Sequence, residues 1–337
     1  MSATIHPEAI LRDLSELWVS LGKQHDGEHT SGVLRACAMT LIVIVDASED
    51  PNIVGETLAA LMREHPSRAI VVRLKPSAER ILESRVFAQC WMPFATRRQI
   101  CCEQIEITAS HASLADVPPV ILALAVPDLP VILWCRALSS FPLPAISPFH
   151  PILSKMIVDG TELGSPVEAL EQLKSRPTSP AVADLTWTRI TRWRQLIAQI
   201  FENPEYLSRL REVSEVRISH AGSEIPLSAY YLAGWILESL SGFAIPKVRF
   251  EPVETNVHGR LAGVELRGEG PDALRVTLER GDGNTARVRV DGLENCALFP
   301  RHTDYELLRE ELSIAQSDAV YERMLPNAME LALGKAK

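Results

Sequence analysis

Two long apolar runs with a helix signal between them constrain the fold of this chain more than any other feature. Residues 33–45 and 67–74 are apolar and rich in β-branched side chains, which is typical of strands buried on both faces. Asp50 and Pro51 mark a helix start between them, because aspartate caps helices and proline fits the first helical position. A strand, a helix and a strand in this order predict a βαβ unit with parallel strands.

Other patterns in the first half extend this unit into a mostly parallel sheet. Residues 86–92 and 99–108 are expected to form two more strands, paired antiparallel at one edge. Residues 131–134 and 155–158 are expected to add short buried strands. Helices are predicted over residues 9–21, 51–64, 117–126 and 166–174. The first half therefore predicts an α/β domain.

The second half predicts an α+β domain with an antiparallel sheet. Apolar and polar residues alternate in four stretches, which are residues 247–253, 260–267, 274–280 and 285–290. Gly281 to Asn284 has the composition of a hairpin turn between the last two. A further strand is expected over residues 213–219, and helices over 186–201, 227–240, 304–315 and 318–333. Pro326 is expected to kink or break the last helix.

The boundary between the two domains is expected at residues 175–181. Two prolines and three hydroxyl side chains in this short stretch cannot continue a helix and are typical of a linker. The linker divides the 337 residues into domains 1–175 and 182–337, each close to the usual domain size of roughly 150 residues.

Charge and composition exclude several classes of protein. The chain has 34 Lys and Arg against 43 Asp and Glu, a net charge of −9, which argues against a nucleic-acid partner. The most apolar run, residues 117–135, contains four prolines and Asp128, so it predicts a buried helix, a turn and a strand rather than a membrane span. A secretory signal pattern is absent, and six cysteines are too few for a disulfide scaffold. These features predict a cytoplasmic protein without a membrane partner.

The common catalytic and cofactor-binding motifs are absent from the sequence. Neither G-x-G-x-x-G nor G-x-x-x-x-G-K-[ST] occurs, and G-x-S-x-G and H-E-x-x-H are also missing. Residues 46–50, which follow the first apolar run, carry three carboxylates that would repel a phosphate. His25 and His29 could hold a metal if helical, but the glycines around them favour a solvated loop. We expect no catalytic residue, no cofactor and no metal.

Two segments are candidates for partner binding. His65 and Arg68 lie between a helix and a strand, where a histidine also interacts favourably with the helix dipole, so a structural role competes with binding. The predicted helix 186–201 buries one apolar face, but two tryptophans and three arginines within eight residues are also typical of binding hot spots. Its candidate residues are Trp187, Arg189, Arg192 and Trp193.

A third segment could serve either structure or redox chemistry. On a strand, Cys102 and Gln104 share one face, while Cys101 and Glu103 share the other. A carboxylate in a buried strand needs a cationic partner, and the thiols beside it are either inert structural groups or redox-active. The arginines that could pair with Glu103 are Arg68, Arg73 and Arg97.

Five parts of the sequence together carry a resemblance that spans most of the chain. They are residues 65–72 (HPSRAIVV), 102–105 (CEQI), 128–134 (DLPVILW), 184–194 (DLTWTRITRWR), and 307–312 (LLREEL) with 318–322 (DAVYE). In this order they resemble the signature segments of the OpcA family, the bacterial assembly or activator proteins of glucose-6-phosphate dehydrogenase.

The resemblance implies a non-catalytic protein that binds glucose-6-phosphate dehydrogenase and promotes its active oligomer, in the oxidative pentose phosphate pathway. It also suggests thioredoxin as a second partner. We hypothesise that Trp187, Arg189, Arg192 and Trp193 lie at or beneath the interface with the dehydrogenase. Two alternatives stay open. One is an enzyme acting on a sugar phosphate or nucleotide near Asp46 and Trp134, at the carboxyl ends of the parallel strands. The other is a thiol-based redox sensor.

Overall fold

The computed structural model describes most of the chain as two compact units. The described residues are 5–24, 33–92, 99–137, 146–175, 180–254, 261–314 and 316–334. Unit 1 comprises residues 1–159, 177–183 and 304–316, and unit 2 comprises residues 160–176, 184–303 and 317–337. Residues 176–179 of the linker predicted at 175–181 lie outside the described part, and the boundary between domains 1–175 and 182–337 stays a prediction.

Helices occur in both units, and in the described residues none is long and apolar enough to cross a membrane. Their bounds are α1 (Pro7–Gln24), α2 (Pro51–Leu61), α3 (Val117–Leu124), α4 (Pro166–Lys174), α5 (Leu185–Arg189), α6 (Thr191–Ile200), α7 (Pro204–Arg209), α8 (Leu227–Ser239), α9 (Asp304–Leu312) and α10 (Ala319–Ala332). Asp50 caps α2 by accepting from the backbone N–H of Asn52 at 2.9 Å, as the sequence predicts.

Unit 1 is built on an eight-stranded sheet that confirms the predicted α/β fold class. Its strands are β1 (Val33–Arg35), β2 (Met39–Asp46), β3 (Ser67–Lys75), β4 (Leu82–Trp91), β5 (Gln99–Ser110), β6 (Val131–Cys135), β7 (Lys155–Val158) and β8 (Ala181–Asp184). The order is β1-β5-β3-β2-β6-β7-β8, and β4 pairs with β5. The β2–β3 pair is parallel and the β4–β5 pair is antiparallel, as predicted, and the β3–β5 pair is also parallel.

The run 33–45 forms two strands, which corrects the prediction of one. β1 pairs with β5, whereas β2 lies between β3 and β6 in the middle of the sheet. The chain must therefore pass the end of β3 between them. Ala36 and Ala38 make this crossing with backbone hydrogen bonds to the carbonyls of Cys101 and Pro66. Apolar periodicity does not reveal such a change of neighbour, because both pieces remain extended.

A buried ion pair fixes α9 to the sheet of unit 1. Lys155 on β7 donates from Nζ to the Glu311 carboxylate at 2.9 Å and to the backbone carbonyls of Glu311 and Ile314. Both side chains are less than a tenth exposed. Each of the three donor positions of the ammonium thus has an acceptor, which is what a buried lysine requires.

Unit 2 contains a six-stranded, mostly antiparallel sheet, which confirms the predicted α+β architecture. Its strands are β9 (Val213–Ala221), β10 (Lys247–Val253), β11 (Leu261–Gly268), β12 (Arg275–Arg280), β13 (Thr285–Val290) and β14 (Leu293–Leu298), in the order β10-β9-β11-β12-β13-β14. Among the strand pairs that the structure describes in this sheet, β9–β10 alone is parallel. The sequence does not predict β14, because its side chains are almost all exposed and show no buried face.

Helix packing in unit 2 depends on close backbone approach. A Cβ atom at Gly234 in α8 would lie 2.9 Å from the backbone nitrogen of Ala328 in α10, so only glycine fits there. Pro326 lies inside α10, which continues to Ala332, so this proline does not end the helix as one alternative predicted.

The predicted helix 186–201 is divided at Ile190, whose φ and ψ of −93° and 3° separate α5 from α6. Thr188 hydrogen-bonds back to the carbonyl of Asp184, a competition typical of threonine in short helices. The single helix expected from the sequence is therefore corrected to two.

Candidate functional site

The carboxyl edge of the unit 1 sheet is where an open α/β sheet usually binds its ligand. In this structure the carboxylates of the loop after β2 accept hydrogen bonds from nearby residues of the same segment. Asp46 accepts from the backbone N–H of Ser48 at 2.9 Å and from its hydroxyl at 2.6 Å, and Asp50 caps α2. These side chains therefore close local turns rather than face a ligand.

An ion-pair network fills the rest of this edge. Arg136, just after β6, donates from Nε to Glu49 at 2.7 Å and also pairs with Asp304. Its guanidinium stacks 4.8 Å from the centre of the buried Trp134 ring. Burial lowers the pKa of Arg136, but the hydrogen bond to Glu49 and the charge of Asp304 outweigh it, so the net pKa is raised. Arg136 is therefore part of a structural ion-pair network at this edge.

The described residues also contain no cluster of histidine, cysteine or carboxylate side chains suited to a metal ion. His25 and His29, the pair considered for a metal, lie outside the described residues.

Glu103 is the centre of a second network in unit 1. Its carboxylate is 3% exposed and accepts from Arg68 Nε at 2.7 Å and from the indole N–H of Trp18 at 2.7 Å. Arg35 adds a third donor at 2.8 Å. Parallel pairing of β3 with β5 brings Arg68 and Glu103 together, so one of the three predicted arginines is the partner.

Of the other predicted partners of Glu103, the structure describes only Arg73. Arg73 pairs with Glu106 at 3.3 Å, and Arg97 is outside the described residues. Arg68 itself is 7% exposed, and it also donates to the carbonyl of Leu124. Any effect of Arg68 on a partner therefore has to pass through the packing around it.

The two cysteines of this segment, Cys101 and Cys102, are in different chemical states. Antiparallel pairing sets Cys90 of β4 opposite Cys101 of β5, and the two form a disulfide with a Cα–Cα distance of 4.1 Å. Cys102 is a buried free thiol whose pKa is raised to about 11, chiefly by burial. A thiol with such a pKa carries almost no thiolate at neutral pH, which favours the structural interpretation of Cys102.

His65 and Gln104 are both half-buried and are not neighbours of one ligand site. His65 lies after α2, where its backbone N–H donates to Leu61 at 2.7 Å, and its Nε2 has no hydrogen-bond partner in the described structure. Gln104 lies on the face of β5 opposite Glu103, as predicted. Their proposed roles in partner binding and in redox or structural chemistry stay predictions.

In unit 2 the segment 184–194 is anchored by a buried carboxylate. Asp184 is fully buried and accepts from the Tyr231 hydroxyl at 2.6 Å and from the backbone N–H groups of Gly160 and Thr186, both at 2.8 Å. A Cβ atom at Gly160 would collide with this carboxylate, so the contact requires glycine. Burial, and then the charge of Asp184, raises the pKa of Tyr231 well above its usual value.

Both tryptophans of this segment lie in the core of unit 2, each only 2% exposed. Trp187 donates its indole N–H to Asp318 at 2.7 Å, and its ring packs among Tyr231 and Tyr321. Trp193 meets Phe299 edge-to-face with ring centres 4.9 Å apart.

The two candidate arginines of the segment are half-buried and lie nearer the surface than the tryptophans. Arg192 donates to the carbonyl of Leu298 at 3.2 Å and to Gln195 at 3.4 Å. Arg189 and Trp193 share the wall of one cavity in unit 2. The structure thus places the two tryptophans in the core and the two arginines nearer the surface of the same segment. Their role in binding a partner stays a prediction.

The sequence did not predict the residues from other parts of the chain that pack against Trp187 and Trp193. Tyr231 and Tyr321 complete the aromatic cluster, and Phe299 supports Trp193. Tyr231 belongs to a helix that is apolar on nearly every side, so its hydroxyl carried no periodic signal. The only available signal was Asp184, because a buried aspartate requires donors from elsewhere.

Comparison with known families gives matches to both halves of the chain. An OpcA family model for the N-terminal domain of a glucose-6-phosphate dehydrogenase subunit matches residues 58–175. An OpcA family model for the C-terminal domain of a glucose-6-phosphate dehydrogenase subunit matches residues 180–325. Together the two matches include all five parts of the sequence that carry the resemblance.

Similar proteins include two OpcA proteins that are named for the OxPP cycle. That of Synechocystis sp. is 27% identical over 279 residues, which cover 76% of this chain and 56% of that protein. That of Synechococcus elongatus is 28% identical over 293 residues, which cover 79% of this chain and 64% of that protein. The chain thus spans between about half and two thirds of the length of these relatives.

Among solved structures, a glucose-6-phosphate dehydrogenase in complex with its substrate glucose-6-phosphate has a similar fold. The TM-score is 0.50 with 10% sequence identity, and the alignment covers 88% of this chain and 92% of that chain. At this identity the likeness describes the fold and leaves the chemistry to be argued from the residues.

Proposed function

This chain belongs to the OpcA family, and we propose that it is a non-catalytic assembly factor and allosteric activator of glucose-6-phosphate dehydrogenase. It binds the dehydrogenase in the cytoplasm and promotes its active oligomer, at the entry to the oxidative pentose phosphate pathway. The observation that carries the proposal is that domains named for a subunit of this dehydrogenase match residues 58–175 and 180–325, and so both units.

The carboxyl edge of the unit 1 sheet supports a non-catalytic role. The place where an open α/β sheet binds its cofactor holds Arg136 paired with Glu49 and Asp304, together with the turn-forming carboxylates of Asp46 and Asp50. A dinucleotide phosphate there would meet carboxylates rather than free N–H groups. An activator needs no such site, because it acts through a surface.

We place part of that surface on α5 and α6. Arg189 and Arg192 are half-buried on helices whose Trp187 and Trp193 lie in the core, and tryptophan and arginine are enriched in binding hot spots. To activate, this surface must bind the active conformer of the dehydrogenase more tightly than the inactive one. A preference of about 1–3 kcal/mol changes the equilibrium between conformers roughly 5- to 150-fold.

Co-purification and kinetics with the dehydrogenase of the same organism test this proposal. We expect the two proteins to elute together in size-exclusion chromatography, and the dehydrogenase to gain oligomer mass and activity. The double variant Arg189→Ala with Arg192→Ala should fold and lose stimulation. The exposed pair Arg63→Ala with Arg211→Ala is the matched control and should stimulate fully. If the first pair also stimulates fully, α5 and α6 are only scaffold; if wild type neither binds nor stimulates, the function is wrong.

The dehydrogenase-like fold favours one alternative, an enzyme that acts on a sugar phosphate or nucleotide by itself. Purified chain incubated with candidate substrates and NAD or NADP, without the dehydrogenase, distinguishes the two functions. The activator proposal expects no turnover. Turnover that is lost when Arg136 is replaced would establish the alternative.

Thioredoxin is proposed as a second partner, and its target would be the Cys90–Cys101 disulfide. Two electrons from the thioredoxin dithiol would reduce this bond to two thiols and leave thioredoxin oxidised. Cys90 is half-buried and Cys101 fully buried, so attack would occur at Cys90 Sγ. Thiol labelling with mass spectrometry after incubation with reduced thioredoxin tests this. New label on Cys90 and Cys101 is expected, and an intact disulfide would exclude the role.

A further inference from the structure

A cavity of about 300 Å³ in unit 2 has a lining unlike that of any other ionic site described above. Its polar lining consists of two guanidinium groups and three hydroxyl groups, on Arg189, Arg280, Thr161, Thr186 and Ser228. Trp193 and two aliphatic side chains form the rest of the wall. None of the lining residues in the described structure is a carboxylate.

Arg280 contributes to this lining a positive charge that no carboxylate pairs with in the described structure. It is the last residue of β12, it is half-buried, and it makes no hydrogen bond or ion pair with any described residue. Burial lowers its pKa, and the nearby charge of Arg301 lowers it further. Arg275, at the start of the same strand, shows the usual alternative, since it pairs with Glu265 at 2.7 Å. An arginine that is partly desolvated without an anion leaves a charge for a ligand to neutralise.

The position of this guanidinium is fixed before any ligand arrives. Arg280 stacks 5.1 Å from the centre of the Phe299 ring, and Phe299 meets Trp193 edge-to-face at 4.9 Å. Phe299 and Trp193 are both buried, so the platform cannot move freely. Preorganised donors bind more tightly because little conformational entropy is lost on binding.

We propose that this cavity binds a small phosphorylated polyol, of the sugar-phosphate class. Guanidinium groups match the geometry and charge of a phosphate, which Arg280 and Arg189 would contact. Hydroxyl side chains both donate and accept, so Thr161, Thr186 and Ser228 suit the hydroxyls of a polyol. The indole of Trp193 offers an apolar face for the carbon skeleton, and about 300 Å³ is at the small end of ligand sites.

This site goes beyond the proposed function and does not depend on it. The cavity belongs to unit 2 alone, so binding is measured on the chain without the dehydrogenase. A ligand bound here would make the protein responsive to the concentration of a phosphorylated metabolite. Loss of the site and loss of the dehydrogenase interaction are therefore separate results.

Isothermal titration of the whole chain with three probes tests the chemistry. Glucose 6-phosphate carries both the phosphate and the polyol, inorganic phosphate carries only the first, and glucose only the second. We expect glucose 6-phosphate to bind at least roughly tenfold more tightly than inorganic phosphate, and glucose not to bind. Equal affinity for both phosphates would contradict the polyol assignment, and absence of binding by both would overturn the site.

Substitutions in the cavity lining, with a control on the same strand as Arg280, test where the ligand binds. Arg280→Gln should weaken glucose 6-phosphate binding about 10- to 100-fold, the usual effect of losing a charged hydrogen bond. Arg275→Gln is the matched control, because its guanidinium lies outside the cavity, and it should bind like wild type. Ser228→Ala, a smaller change, should weaken glucose 6-phosphate more than inorganic phosphate. Unchanged affinity in Arg280→Gln and Ser228→Ala would place any binding elsewhere.

Discussion

Arg136 in unit 1 and Arg280 in unit 2 both stack on an aromatic ring, but in the described structure only Arg136 has carboxylate partners. Arg136 lies over Trp134 with two carboxylates in contact, and its pKa is raised. Arg280 lies over Phe299 with no carboxylate partner in the described structure, and its pKa is lowered. The guanidinium of Arg136 is already paired within the protein, whereas the guanidinium of Arg280 can pair with an anionic ligand.

This difference changes where chemistry is expected in a dehydrogenase-like fold. At the carboxyl edge of the parallel sheet, the usual ligand site, Arg136 already pairs with Glu49 and Asp304. The cavity in unit 2 has donors and positive charge, but its described lining contains no carboxylate, histidine or cysteine to act as a general base or nucleophile. The following predictions test the comparison, beginning with the largest expected effect.

Loss of an arginine that pairs with a buried carboxylate should lower the free energy of unfolding. Arg68→Ala leaves the carboxylate of Glu103 buried without its closest cationic partner, so we expect the free energy of unfolding to fall by about 3–5 kcal/mol. Arg12→Ala, at an exposed and weakly paired site, should change it by less than about 0.5 kcal/mol. Urea denaturation measures both. A small loss for Arg68→Ala would contradict this expectation and would show that Arg35 and Trp18 suffice to stabilise the Glu103 carboxylate.

The unit 1 interior should also lose stability at alkaline pH. Cys102 has a folded pKa of about 11 against a reference of 9.0, so the unfolded chain loses this proton first as pH rises. Stability from this group is fully present below the unfolded pKa and falls by about 2–3 kcal/mol as pH rises through the folded pKa. Denaturation at several pH values measures the slope, and Cys102→Ala should remove this component. An identical slope in that variant would contradict the assignment.

Removing the carboxylates at the unit 1 edge should make it resemble the unit 2 cavity. Glu49→Gln with Asp304→Asn leaves Arg136 over Trp134 without an anionic partner, at a stability cost of about 1–2 kcal/mol. The double variant should also gain millimolar affinity for inorganic phosphate, which titration followed by NMR detects at Arg136. The single control Glu8→Gln, on the exposed start of α1, should gain none. No gain in the double variant would show that carboxylates are not what keep anions from this edge.

The smallest effect is expected at Arg280. Because it has no carboxylate partner to lose in the described structure, Arg280→Gln should change the free energy of unfolding by less than about 0.5 kcal/mol without ligand. Thermal denaturation with and without glucose 6-phosphate measures the change, and only the ligand-induced gain in Tm should disappear. A large loss without ligand would assign Arg280 to the fold and would remove the contrast with Arg136.

The sequence predicts most strands of the fold because buried strands are either continuous apolar runs or alternate between apolar and polar residues. β2 and β3 are continuous apolar runs, and the capped start of α2 is read directly from Asp50 and Pro51. The exposed edge strand β14 shows neither pattern, since an edge strand with solvent on both faces needs no apolar alternation. The break at Ile190 is missed because α5 and α6 share one apolar face.

The sites were harder to predict than the strands because they join residues far apart in the chain. Glu103 was expected to need an arginine, but only the register of β3 against β5 selects Arg68. The Cys90–Cys101 disulfide likewise follows from the register of β4, which no spacing rule contains. Arg280 gave no signal at all, because what distinguishes it is a missing neighbour, and sequence alone does not show neighbours.

The buried pair of Lys155 and Glu311 has a consequence for the order in which the protein is made. The ribosome releases Lys155 long before Glu311, which lies 156 residues later. Until then Lys155 has none of these acceptors, so we expect its ammonium group to stay in contact with water until α9 is made. Unit 1 is completed only after nearly all of unit 2 has emerged, and a nascent chain stalled before residue 311 would be exposed to chaperones and proteases.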